Sequence, residues 1–99
     1  MAALLAATVP GPDLVERKAL RAYRGAPPAV RAFLERRAQC NHWGGEEPYD
    51  AERAAEIAAA VHKLRCDRIE ADERRIRQTL RGSPRLRWLI EVTRDWDSL

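Results

Sequence analysis

The chain has 99 residues, enough for one domain with a small core. A third of the residues are charged, Ala and Arg are abundant, and Val, Ile and Thr are few, which favours helices over sheet. A net charge of +3 is too small to indicate nucleic-acid binding by itself.

The first residues, MAALLAATVPG, are apolar but lack a basic flank and are too short to span a bilayer. Residues 1–12 are expected to form a flexible arm and residues 13–99 a single helical domain. Asp13 and Glu16 fit a capping box that opens a first helix. Val15, Ala19, Ala22 and Tyr23 follow at helical spacing, with Leu14 and Leu20 widening the face. Gly25 and Pro27-Pro28 end it.

Pro28 suits the first position of a second helix. Its apolar stripe is Val30, Phe33, Leu34 and Ala38, and the helix is expected to reach about Cys40 before Gly44-Gly45. Asp50 is a good cap for the third helix, with Glu52 and Glu56 near its positive end. No Gly or Pro then occurs until Gly82, so one long central helix is expected. Ala54, Ile57, Ala58, Val61 and Leu64 make one stripe of it, and Ile69, Ile76 and Leu80 another, slightly out of phase. Asp67 and Glu70 fit a second capping box, which marks the neighbourhood of Cys66 as the place for a break. Ser83-Pro84 opens the last helix, apolar on a wide arc through Leu86, Trp88, Leu89, Ile90, Val92 and Trp96. The expected fold is all-α, a small helical bundle of about four helices. Phe33, Leu34, Ile57, Val61, Leu64, Leu89 and Ile90 are its expected core.

Four residues could ligate a metal: Cys40, His42, His62 and Cys66. Four N/S ligands would suit tetrahedral zinc. In a helical hairpin, however, Cys40 faces the start of the third helix and Cys66 lies about 20 Å further along. Neither zinc nor a disulfide fits unless the helix breaks or the loop folds back. Two buried, free cysteines are therefore expected, in a cytoplasmic protein without a cofactor. No nucleophile–base set or phosphate loop is legible, and acid pairs such as Asp72-Glu73 sit in charged surroundings. No enzyme activity is expected.

Charge is unevenly distributed. Arg74 to Arg87 contains six arginines and no acid, whereas Glu46 to Glu56 contains five acids and one arginine. Arg74, Arg77, Arg81 and Arg85 are candidates for contacting phosphates. Their alternative is a solvated face paired with Glu70, Asp72 and Glu73. In the loop CNHWGGEEPYD, Tyr49 stands where a hydrophobic staple begins, Asp50 caps, and Trp43 is expected to tuck into the core or plug the hairpin end. Trp43, Glu46, Glu47 and Tyr49 are candidates for binding a partner protein.

CNHWGGEEPYDAERAAEI followed by LRCDRIEADE resembles a recurrent pattern in small helical proteins of prophages and other mobile elements of GC-rich bacteria. The resemblance covers Cys40 to about Glu73 and implies a setting, with no functional residues attached. Small phage-type proteins often inhibit host machinery by binding it, and anti-CRISPR proteins are one such class. The leading expectation is a non-enzymatic inhibitor or adaptor acting on a protein target such as a host defence effector complex. A DNA- or RNA-binding regulator and a zinc-stabilised domain are the alternatives. No membrane partner is expected, and a homodimer is compatible with the wide apolar arc of the last helix.

Overall fold

The computed structural model describes residues 13–99. The arm expected for residues 1–12 lies outside them, as does the side chain of Asp13 and with it the first capping box. Among the described residues all regular structure is helical: α1 (Asp13–Arg24), α2 (Pro28–Gly44), α3 (Ala51–Leu64), a 3-10 turn (Cys66–Arg68), α4 (Ile69–Thr79) and α5 (Pro84–Val92). None of these helices is long and apolar enough to cross a membrane.

Helix α2 is the axis of the molecule. Pro28 occupies its first turn, where a missing N–H costs nothing. The expected stripe of Val30, Phe33, Leu34 and Ala38 is buried. Helix α1 meets α5 through Ala19 and Ala22, small side chains that let the backbones approach closely. Its first turn does not join the core, since Leu14 is 73% and Val15 52% exposed. From α5, Leu89 and Ile90 are fully buried, and Leu86, Trp88, Val92 and Trp96 pack around them. Ser83 Oγ accepts from Leu86 N at 3.3 Å and caps α5 as expected.

Helix α4 runs antiparallel to α2, because Arg36 pairs with Asp72 at 2.9 Å while Phe33 and Ala29 share a groove with Ile76 and Thr79. Helix α5 runs in the direction of α2. Arg37 reaches Ile90 O at 2.7 Å, and Asn41 Nδ2 donates to Arg94 O and Trp96 O at 2.9 and 2.8 Å.

The expected long central helix does not form. Helix α3 stops at Leu64, Arg65 adopts left-handed φ 54° and ψ 52°, and the 3-10 turn leads into α4. For a residue with a Cβ this conformation costs roughly 1–2 kcal/mol. Two tertiary contacts offset that cost. Arg36 Nε donates to Leu64 O at 2.6 Å and Arg36 Nη2 to Arg65 O at 3.0 Å, satisfying carbonyls the helix end leaves open. The break also brings Cys66 to Cys40, and the two form a disulfide with a Cα–Cα distance of 5.6 Å. The expectation of two free cysteines is thereby corrected. The capping box at Asp67 and Glu70 is absent, since Arg68 caps α4 without a side-chain bond.

The core is smaller than expected. Ile57, Val61 and Leu64 are only half-buried, and α3 contributes no buried residue. Only α2 covers α3 along its length, so the face of α3 away from α2 meets water.

Candidate functional site

Three groups of side chains carry the chemistry of this surface, and the buried one is structural. Arg37 lies within the apolar stripe of α2 and is 3% exposed. Its Nη1 donates to Glu73 Oε1 at 2.8 Å, and its Nη2 to Ile90 O at 2.7 Å and Thr93 Oγ1 at 2.9 Å. Thr93 Oγ1 in turn donates to Leu89 O at 2.6 Å. The other oxygen of Glu73 accepts from Arg77 Nε at 3.1 Å and Arg94 Nη2 at 3.0 Å. Burial disfavours the ionised form of Glu73. Hydrogen bonds from Arg77 and Arg37, with the charge of Arg94, outweigh it and hold the carboxyl below the usual carboxylate range. Burial likewise pulls Arg37 down, against the hydrogen bond it donates to Glu73. The ionised carboxylate accepts three charge-assisted hydrogen bonds from three arginines, so this knot joins α2, α4 and the end of α5.

Sequence reading missed the knot and placed Asp72-Glu73 in solvated surroundings; Glu73 is instead only 9% exposed. One signal was present. Arg37 follows Val30, Phe33 and Leu34 at helical spacing, so it had to lie on the buried face and find a carboxylate.

The second group sits at the end of the α2–α3 hairpin. Trp43 is half-buried, with the Arg53 guanidinium 5.2 Å above its ring and His42 against its edge at 5.7 Å, so it plugs the hairpin end as expected. Glu46 is not a free acid: it pairs with Arg53 at 3.1 Å and His42 Nε2 at 3.2 Å. Arg53 also holds Glu56 at 3.1 Å. Asp50 Oδ1 accepts from Arg53 N at 2.7 Å, which is the expected cap. Tyr49 makes no staple and stands 76% exposed beside exposed Glu47 and Glu52.

The third group is the basic run, which does not act as one stripe. Arg77 is committed to Glu73 and to Glu91, the latter at 2.6 Å, and Arg75 pairs with Asp72 at 3.4 Å. Arg74, Arg81 and Arg85 are exposed and form no ion pair with the described residues. Arg81 and Arg85 lie by the N-terminal half of α2, and the acidic loop follows its C-terminal end. The 17 residues of α2 separate them by about 25 Å, so the two charge clusters occupy opposite ends.

The zinc candidates are dispersed. Cys40 and Cys66 are consumed by the disulfide, His42 serves Glu46, and His62 is exposed on α3. Among the described residues no cluster of three or more His, Cys, Asp or Glu side chains is arranged to hold a metal. Comparison with known protein families, curated proteins and solved structures finds no match.

Proposed function

We propose that this is a non-enzymatic binding protein of the phage type, an inhibitor or adaptor that acts by protein–protein contact. Its most concrete target is a host defence effector complex of the kind that anti-CRISPR proteins block. The observation that carries the reading is Tyr49, 76% exposed at the tip of a firmly braced arm, formed by α3 and the loop that leads into it from α2. Tyrosines are enriched among the residues that dominate interface energy. The arm is held by the Cys40–Cys66 disulfide, the Arg36 bonds and the Arg53–Trp43 stack. Bracing of that kind lowers the entropy lost when the loop docks. Exposed Glu47 and Glu52 lie two and three residues from Tyr49 in the chain, so the fitting partner surface is basic around an apolar pocket.

The test is affinity capture from host lysate treated with nuclease, using wild type, Tyr49→Ala and the pair Glu47→Ala with Glu52→Ala. Wild type should retain a protein partner. Tyr49→Ala should lose it by faster dissociation, and the acid pair should slow association. Equal capture by all three would reject the arm as the binding surface.

A further inference from the structure

The end of the molecule away from the arm has a cleft that the sequence does not announce. It lies between α1 and α5, is lined by Lys18, Arg21, Pro84, Arg85 and Trp88, and has a volume of about 420 Å³. No acid lines it. Lys18, Arg21 and Arg85 are exposed, and none forms an ion pair with the described residues. Trp88 is half-buried and lines the cleft, and the exposed Lys18 ammonium lies over its ring, 5.8 Å from the centroid.

The cleft joins two distant parts of the chain. Residues 17–34 hold five cations and residues 74–87 hold six, and neither segment contains an acid. Together they carry 11 of the 18 Lys and Arg residues and none of the 15 Asp and Glu residues. Packing of α1 on α5 brings Lys18 and Arg21 of the first segment together with Arg85 of the second around the Trp88 ring.

We propose that this cleft binds single-stranded nucleic acid, with backbone phosphates on Lys18, Arg21 and Arg85 and one base against the Trp88 indole. A positive groove with a stacking platform is the general chemistry of single-strand binding. A duplex keeps its base faces covered, so the indole would add nothing to its affinity. A peptide of acids alone would satisfy the cations but has no planar ring for Trp88.

The test measures anisotropy of a labelled oligothymidylate of about 15 nucleotides across a salt series. Three phosphate contacts predict a log–log salt slope of at least about −2. Arg21→Ala with Arg85→Ala should flatten the slope by about 1.4. Both side chains are exposed, so the fold should persist, which circular dichroism checks. Trp88→Phe keeps an aromatic packing group and should abolish the tryptophan quenching that accompanies binding. Trp88→Leu should weaken binding at least about fivefold. The proposal is overturned if the oligonucleotide does not bind at low salt, or if the arginine pair leaves affinity and slope unchanged. Equal binding of a duplex, or equal competition by an oligoglutamate, overturns it too.

Discussion

The body and the arm of this molecule are held together by different physics. In the body, α1, α4 and α5 close over α2, and the contacts are apolar: Phe33, Leu34, Leu89 and Ile90 touch almost no water. A single ionic knot, Arg37 with Glu73, is buried among them. In the arm, α3 has no buried residue, and its attachments are a disulfide, two hydrogen bonds from Arg36 and a cation–aromatic stack. A short chain that cannot cover every helix with a core can staple the remaining one. The stapled helix then presents a surface instead of filling the interior.

The difference can be broken most severely at the knot. Glu73→Ala leaves the buried Arg37 without its carboxylate and should cost about 3–5 kcal/mol, read by denaturant unfolding. Glu73→Gln sharpens the electrostatic part. The folded carboxyl is held below its ordinary range, so its stabilisation is present above that range and is lost as pH falls through the lower folded value. The Gln variant should show a shallower acid limb, and an unchanged limb would mean that Glu73 is not the group being protonated.

Truncation separates the two regions next. Leu89→Ala should cost about 2–5 kcal/mol, because its side chain is wholly enclosed. Ile57→Ala removes only half-buried surface and should cost about 1 kcal/mol or less. Equal losses at the two sites would show that α3 shares the core.

Removing the staple should affect the arm alone. The disulfide spans 26 residues, for which chain entropy gives roughly 3–4 kcal/mol of stabilisation. Cys40→Ser with Cys66→Ser should abolish amide protection across residues 51–64 while leaving α5 protected. Uniform loss across both regions would contradict the division. The most local effect is expected at Asp50→Ala, which removes the α3 cap at a cost of about 0.5–2 kcal/mol and should accelerate exchange only in the first turn.

Much of the body and little of the candidate cleft was legible in the sequence. Pro28, Asp50 and Ser83 mark helix starts through bonds made within three or four residues, so they act wherever the chain folds. The stripe of α2 and the Leu89-Ile90 pair follow from periodicity for the same reason. Trp43, Glu46 and Tyr49 lie at the hairpin end, but Glu46 proved to be paired with Arg53, seven residues away. The break at Arg65 has no local breaker; it depends on Arg36 and Cys40, which lie 29 and 26 residues from the groups they bind. Burial of Glu73 depends on Arg37, 36 residues earlier, and the Trp88 cleft depends on α1. Caps and amphipathic faces are set by backbone geometry over one or two turns, so the amino-acid sequence alone determined them. Which helix stops without a stop signal, which charge is buried, and which cations gather around an indole were decided only when distant segments met. Their energies come from partners that no local window contains.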